Sequence, residues 1–223
     1  MALPRIRYQT IEFDEFDIHL RSLKDKQQFH DPFGEAERLG ISSAQWSLFG
    51  VLWQSSRVLA EKMQDFNIEG KRILEIGCGL GLSSLLLNAR NADITATDYH
   101  PEAGKFLAEN VRLNQGDAIP FLRTDWKDEH SGIGRFDLII GSDLLYERNH
   151  IELLSQFIER HANPNAEVIL VDPGRGNHAK FSKEMVKMEF DHSQHKPDLE
   201  TEEGVAPFKG VVLCYKREDE SID

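Results

Sequence analysis

From Lys71 onward the sequence alternates short apolar runs with segments of helical periodicity, and this alternation constrains the fold more than any other feature. Such a rhythm is typical of βαβ units, in which helices connect parallel strands. Near-continuous apolar runs such as residues 138–140 (Leu-Ile-Ile) are expected of strands that are covered on both faces. The sequence therefore predicts an open α/β sheet.

Five strands and four helices are predicted in this part of the chain. The strands are expected at residues 72–76, 93–97, 119–123, 136–140 and 167–171, and the helices at 82–89, 101–114, 150–160 and 178–188. Two weaker runs at 189–192 and 209–216 follow the last helix. Their order predicts a closing antiparallel pair of strands.

The residues before Lys71 have a different pattern. Apolar side chains alternate over residues 8–20, which predicts one or two half-buried strands with a slip near Asp14. From about Gln45 to Phe66 apolar side chains recur at helical spacing, which predicts a helix with an apolar face.

Composition and charge exclude several classes of protein. The chain has 223 residues and a formal net charge of −12 at pH 7, so we expect no nucleic-acid partner, because such binding needs Lys and Arg to neutralise phosphates. No apolar run approaches the roughly 20 residues of a membrane span, and the first residues lack the apolar stretch of a signal peptide. Two cysteines and no CxxC motif predict neither a disulfide framework nor a metal site. We therefore expect one cytoplasmic domain, acting as a monomer.

The most informative segment is a glycine-rich turn between the first predicted strand and its helix. Gly77, Gly79 and Gly81 allow a tight turn and a close approach of the backbone to a ligand. Leu82 occupies the position where a dinucleotide fingerprint needs glycine, which disfavours a nicotinamide-dependent oxidoreductase. The carboxylate of Glu75, two residues before the turn, suits a cationic cofactor such as S-adenosylmethionine. The alternative is a tight turn that binds no ligand.

Two further features follow the next strands and face the same edge of the sheet. Asp98 lies 17 residues after Gly81, close to the offset of about 20 at which an acid accepts the ribose hydroxyls. It also suits a helix cap, and one residue can serve in both ways. Asp125 and Trp126 follow the third strand, where an indole can stack on adenine and a carboxylate can accept from its amino group. Simple packing is the alternative for Trp126.

These residues resemble the motifs of class I S-adenosylmethionine-dependent methyltransferases. Residues 75–81 (EIGCGLG) resemble the first motif of that class, and Asp98 its ribose-binding acid. Residues 52–60, 125–126 (DW) and 142–146 (SDLLY) resemble, more narrowly, the seven-β-strand protein-lysine methyltransferase branch, which is also described as nicotinamide N-methyltransferase-like. The resemblance covers roughly residues 45–175, and Trp53-Gln54 stands where the family usually has Trp-Pro.

The resemblance implies a fold and a division of the chain. The fold is an α/β, Rossmann-like, doubly wound and mostly parallel seven-stranded sheet with an antiparallel C-terminal strand. Within a single methyltransferase domain, residues 45–66 are then a helix that covers the cofactor, and residues 67–223 are the core. Residues 1–44 carry no motif of the family, and we expect them to form an N-terminal β-arm because of the strands predicted over residues 8–20.

The resemblance also implies which residues form the site. Trp53 and Trp126 are expected to line the cofactor pocket, and Asp143 and Tyr146 to face the methyl acceptor. A carboxylate favours the ammonium form of an amine, so we assign Asp143 to binding and orienting the acceptor, with general base as the lesser role. Tyr146 offers a ring wall and cation–π attraction. The alternative is that Asp143 caps a turn and Tyr146 packs.

The predicted function is methyl transfer from S-adenosylmethionine to an amine, foremost a protein lysine. A small-molecule amine is the first alternative, and a non-catalytic S-adenosylmethionine-binding module is the second. The loop 172–178 also borders the crevice, where Arg175 or His178 is in reach of substrate, although a glycine-rich connection explains that segment adequately.

Overall fold

The computed structural model describes residues 5–24, 31, 33–197 and 207–218. The strands are β1 (Ile6–Glu12), β2 (Asp17–Leu23), β3 (Arg72–Ile76), β4 (Asp93–Asp98), β5 (Phe121–Arg123), β6 (Phe136–Ser142), β7 (Ala162–Asp172), β8 (Asp191–His195) and β9 (Val211–Arg217). The helices are α1 (Glu35–Arg38), α2 (Gln54–Gln64), α3 (Leu82–Ala89), α4 (Ala103–Leu113), α5 (His150–His161) and α6 (His178–Lys187), and a 3-10 turn spans Leu48–Gly50. Within these ranges no helix has the length and apolar character needed to cross a membrane.

Seven strands form one sheet in the order β5-β4-β3-β6-β7-β9-β8. Strands β3 to β7 pair in parallel, and β9 runs antiparallel between β7 and β8. The chain moves outward from β3 to β5 and then returns to β6 on the other side of β3. In such sheets a ligand crevice lies at the carboxyl ends of the strands, where the order reverses. The predicted doubly wound sheet with an antiparallel C-terminal strand is confirmed.

Apolar side chains cover both faces of this sheet. Ile73 and Leu138 belong to a cluster with residues of α2, α3 and the β1–β2 hairpin, whereas Leu74 and Ile139 belong to a cluster with residues of α5 and α6. Successive residues of a strand point to opposite faces, so the near-continuous apolar runs supply both cores at once.

The N-terminal arm is a separate two-stranded hairpin, as the alternation over residues 8–20 predicted. β1 and β2 pair antiparallel, and Phe13 N–H donates to Phe16 C=O at 2.8 Å to close the connection. Two asparagine side chains accept from backbone N–H groups of β2. Asn110 of α4 is bonded to Arg21 at 2.7 Å, and Asn114, the C-cap of α4, is bonded to His19 at 2.8 Å. These bonds add to the apolar contacts of the arm with α2 and α3, so the arm is attached to the core through several helices.

The predicted helix over residues 45–66 is wrong in its first half, because α2 begins only at Gln54. The preceding residues form turns that are held by indole hydrogen bonds. Trp46 Nε1 donates to Ile41 C=O at 3.0 Å, and Trp53 Nε1 to Leu48 C=O at 2.9 Å. The two tryptophans anchor turns and pack inward. Their helical spacing in the sequence was therefore misleading, because α2 does not extend over them.

Other boundaries differ from the predicted ones by smaller amounts. Helices α3 to α6 begin and end within two residues of prediction, whereas α1 was not predicted. β5 begins at Phe121 rather than at residue 119, because Pro120 has no N–H for the ladder. β7 begins five residues earlier than predicted, since Ala162 pairs with Phe136 before an irregularity in the register.

Candidate active site

A cavity of about 800 Å³ lies at the carboxyl ends of β3, β4 and β6. Residues from the glycine turn, from the segment before α2 and from the loop after β6 all line it. Of the residues predicted from the sequence, the lining includes Trp53, Gly77, Gly79, Asp98, Trp126, Asp143 and Tyr146. Glu75, Gly81 and Asp125 are not part of the lining.

The turn after β3 has a backbone that requires glycine. Gly77 and Gly79 have φ of 62° and 54°, in the left-handed region that other residues rarely adopt. A Cβ on Gly77 would lie 2.6 Å from Leu144 Cδ2, and a Cβ on Gly79 would lie 3.0 Å from the carbonyl oxygen of Phe49. The absence of side chains therefore keeps this wall of the cavity open and lets the overlying segment approach the turn.

Asp98, the last residue of β4, connects that strand to the glycine turn. Its Oδ2 accepts from Gly79 N–H and its Oδ1 from His100 N–H, both at 2.8 Å. The carboxylate thus closes the turn before α4 and also lines the cavity. The predicted helix cap is wrong, because the N-cap of α4 is Glu102 and no side chain caps it. The contact with the ribose stays a prediction. Burial raises the pKa of Asp98, while these backbone hydrogen bonds oppose the rise.

Glu75 lies beneath the turn instead of in the cavity wall. Its side chain is 3% exposed, and its Oε2 accepts from Ser84 N–H at 3.0 Å and from the Ser84 hydroxyl. Burial raises the pKa of Glu75 from 4.5 to about 7, against the lowering effect of the Ser84 hydrogen bonds. This carboxyl group supports the first turn of α3, whose N–H groups have no partner within the helix.

Gly81 and Asp125, the other two predicted site residues outside the lining, also have roles in the backbone conformation. Gly81 has φ of 75° and precedes α3, and a Cβ there would lie 2.4 Å from Leu107 Cδ1. Asp125 Oδ1 accepts from Lys127 N–H at 3.0 Å, which closes the turn beside Trp126.

The segment before α2 covers the cavity, and its side chains contact the loop after β4. The Phe49 ring stacks on His100 with centroids 4.0 Å apart, and the Tyr99 hydroxyl donates to Leu39 C=O. Burial lowers the pKa of His100 to about 4, so the ring is neutral at pH 7. Sequence reasoning missed Phe49 and His100. His100 could have been found from its position, because it lies two residues after Asp98 at the carboxyl end of β4.

Three aromatic rings of the lining contact one another. The His150 ring lies edge-on to Trp126, with centroids 5.1 Å apart, and to Tyr146, at 4.5 Å. His150 Nδ1 is 3.0 Å from Leu144 C=O, which orients the ring. Sequence reasoning missed His150, although it is the first residue of the helix after β6 and therefore lies at the edge of the sheet that binds ligands.

Asp143 follows β6 directly and has an unusual backbone, with φ of 54°. Its N–H donates to Val171 C=O at 2.9 Å, so the residue continues the pairing of β6 with β7. Its carboxylate forms a two-pronged ion pair with Arg175, at 2.5 Å to Nε and 2.7 Å to the terminal nitrogen. Among the described residues no backbone N–H donates to the Asp143 carboxylate, so the alternative of a turn cap has no support, whereas the contact with Arg175 is direct.

Tyr146 lies beside Asp143 with 44% of its surface exposed. Burial of the hydroxyl region, together with Asp98, Glu147 and Asp143, raises the pKa of Tyr146 to about 12. The phenol is therefore protonated at pH 7, and Tyr146 forms part of the cavity lining.

The charges around the cavity are mostly negative. Among the described residues that line it, three carry a carboxylate, and Arg175 is the one lysine or arginine. The three acids are Asp98, Asp143 and Glu147. Such a lining fits a ligand with cationic groups, and the ammonium and sulfonium of S-adenosylmethionine match it, as does a cationic amine.

The sheet order, the glycine turn, the acid at the end of β4 and the acidic cavity together define a class I S-adenosylmethionine-dependent methyltransferase. A solved structure supports the fold. The magnesium protoporphyrin IX methyltransferase of Synechocystis PCC 6803, crystallised with bound S-adenosylmethionine, superposes with a TM-score of 0.57 at 20% identity and covers 74% of this chain and 78% of that one.

Sequence comparisons narrow the class to a family. Residues 38–188 match the lysine methyltransferase family, and the chain belongs to it. A protein N-lysine methyltransferase of Danio rerio, METTL21A, is 31% identical over 177 residues, which cover 76% of this chain and 73% of that protein. EEF1A lysine methyltransferase 3 of Mus musculus is 27% identical over 165 residues, which cover 67% of this chain and 71% of that protein.

Proposed function

We propose that this enzyme transfers a methyl group from S-adenosylmethionine to the ε-amine of a lysine in a protein. The observation that carries the proposal is one cavity whose lining includes Gly79 and Asp98 as well as Asp143 and Tyr146. Donor and acceptor can therefore meet in a single cavity, which methyl transfer requires. The names of the relatives from Danio rerio and Mus musculus support a lysine acceptor carried by a protein.

The residues that line the cavity are proposed to contact the cofactor directly. Asp98 accepts from the ribose hydroxyls, the backbone at Gly77 and Gly79 approaches the methionine part, and Trp126 and Trp53 flank the bound molecule. The other three predicted residues are proposed to support the cavity wall without contacting the cofactor. Glu75 stabilises the glycine turn, Gly81 allows the start of α3, and Asp125 closes the loop that carries Trp126.

The sulfonium of the cofactor supplies an electrophilic methyl group, so the protein has to position the acceptor and exclude water. The acceptor nitrogen needs a free lone pair, and a lysine with an ordinary pKa near 10.4 loses its proton at pH 7 at a cost of about 4–5 kcal/mol. Asp143 orients the amine and Tyr146 provides the ring beside it. The proton released from the amine passes to solvent.

A labelling experiment tests this function. Purified protein is incubated with a cell lysate and isotopically labelled S-adenosylmethionine, and mass spectrometry identifies the labelled residue. Asp143→Asn removes the charge with a residue that tolerates positive φ, and we expect transfer to fall by at least about 10²-fold while cofactor binding by calorimetry persists. Asp93→Asn is the matched control, since Asp93 begins β4 at the opposite edge of the sheet.

Each outcome of that experiment has one meaning. Label on a protein lysine supports the proposal, and label on a small molecule favours the alternative acceptor. Binding without transfer would favour a non-catalytic module. Full activity of Asp143→Asn would contradict the role of Asp143.

We also propose a cytoplasmic location and a monomeric state. The buried Cys78 and the half-buried Cys214 are both free thiols, which is typical of a reducing compartment. Fractionation of cells and light scattering of the purified protein test the two statements.

A further inference from the structure

The ion pair between Asp143 and Arg175 occupies the acceptor side of the cavity. Arg175 presents Nε and one terminal nitrogen to the two carboxylate oxygens, at 2.5 and 2.7 Å. The Asp143 side chain is 13% exposed and that of Arg175 is 42% exposed. Both oxygens of the residue expected to hold the amine are therefore already bonded to a permanent cation.

We propose that Arg175 is a positioning residue that selects the neutral form of the acceptor amine by neutralising Asp143. The inference rests on the proposed function. An unpaired carboxylate near an amine favours its ammonium form, which cannot attack a methyl group. With Arg175 in place, the pair has no net charge, so the amine loses its proton at a lower pH. An ammonium would also have to compete with the guanidinium for the same two oxygens.

The loop after β7 holds Arg175 at this place. Asp172 Oδ1 accepts from the N–H groups of Gly174 and Arg175, at 2.8 and 3.1 Å. Gly174 and Gly176, on either side of Arg175, have φ of 93° and 84°. The backbone thus makes a sharp turn on each side of the arginine, and its side chain extends toward β6 from a separate loop.

The other titratable groups near the pair come from several elements, and the acids among them favour the ammonium form. They are Asp98 at the end of β4, Tyr146, Glu147 and His150 after β6, Asp172 at the end of β7, and His178 at the start of α6. Arg175 is the one lysine or arginine among the described residues of the lining, so its removal leaves the negative charges uncompensated there.

The experiment measures the rate of a single turnover against pH, with the lysate protein labelled above, in purified form, as the acceptor. In Arg175→Gln we expect the midpoint of the rate profile to move up by about one pH unit. This is the low end of the pKa shifts that a nearby charge causes, because Arg175 is half exposed and water screens its charge. The single-turnover rate at pH 7 then falls about tenfold. The steady-state KM for the acceptor stays the same or decreases, because the carboxylate of Asp143, freed from Arg175, binds the ammonium form of the amine.

Two further variants separate charge at this position from other effects. Arg175→Lys keeps the charge and should keep the midpoint within about half a pH unit of the wild type, although it loses the two-pronged geometry. Arg148 is an exposed arginine that follows Tyr146 in the chain but does not line the cavity. In Arg148→Gln the midpoint of the rate profile should therefore not move.

Several results would overturn the inference. These are an unchanged midpoint in Arg175→Gln, an equal movement in Arg148→Gln, inactivity of Arg175→Gln at every pH with cofactor binding retained, or loss of cofactor binding in that variant. Failure of the wild-type protein to label any amine would instead contradict the proposed function, so the two failures are distinguishable.

Discussion

The buried carboxyl group of Glu75 makes the stability of this protein depend on pH in a way that one substitution reveals. In the folded state burial raises the pKa of Glu75 from 4.5 to about 7, so the folded protein holds this proton at pH values where the unfolded chain has released it. Between pH 4.5 and 7 the folded state binds more protons at this site than the unfolded state. The contribution of Glu75 to the free energy of unfolding therefore falls as pH rises through that window.

The magnitude follows from the two pKa values, at roughly 1.4 kcal/mol for each pH unit between them. Relative to a side chain that is always neutral, the ionisation of Glu75 destabilises the fold by about 3 kcal/mol at pH 8 and by less than about 1 kcal/mol at pH 5. Glu75→Gln keeps an oxygen that can accept from Ser84 N–H and carries no charge. The difference in free energy of unfolding between Glu75→Gln and the wild type should thus be more favourable to the variant at pH 8 than at pH 5, by about 2–3 kcal/mol.

Urea unfolding of both proteins at pH 5 and pH 8 measures this difference. His100, whose pKa burial lowers to about 4, has the opposite slope between pH 4 and 6.5, but it is present in both proteins and cancels. The exposed Glu69 provides the control, since Glu69→Gln should show no such dependence on pH. If Glu75→Gln has the same effect at both pH values, or is less stable than the wild type at pH 8, the reasoning is wrong.

Two substitutions test the donor side of the cavity. Asp98→Asn removes the charge and one strong acceptor, so the dissociation constant of S-adenosylmethionine, measured by calorimetry, should rise at least about tenfold; a value within threefold of the wild type would refute the ribose role. Gly79→Ala introduces a Cβ at φ of 54° and 3.0 Å from the Phe49 carbonyl oxygen, so it should lower both cofactor affinity and stability, the latter by about 1–3 kcal/mol in thermal unfolding. Gly132→Ala is its control, because Gly132 has φ of 70° with nothing within 4 Å, and an equal loss in the two variants would show that the contact with Phe49 is unimportant.

Local patterns account for what was predicted correctly about the fold. The boundaries of α3 and β3 agree with the prediction because their apolar runs and flanking glycines act over a few residues. The segment from Gln45 to Trp53 defeated the same reasoning. Its apolar side chains have helical spacing, yet they bond to backbone carbonyls and stack on the loop after β4, and tertiary contacts outweighed helix propensity there.

The candidate site divides in the same way. Gly77, Gly79 and Asp98 could be chosen from sequence because a motif and an offset along the chain identify them. Glu75 was chosen for its charge, but its position under the turn depends on how β3 and α3 pack. His150 and the covering role of Phe49 had no motif to reveal them.

The sequence alone determined the βα order, the glycine turn and the acids that end the strands, because hydrophobic period and backbone freedom are properties of neighbouring residues. Only the tertiary structure decided which side chains meet across the crevice. Arg175 reaches Asp143 from 32 residues away because β6 and β7 are parallel neighbours whose carboxyl ends lie at one edge. Such a contact depends on the order of strands in the sheet, and that order is set by the packing of the whole chain.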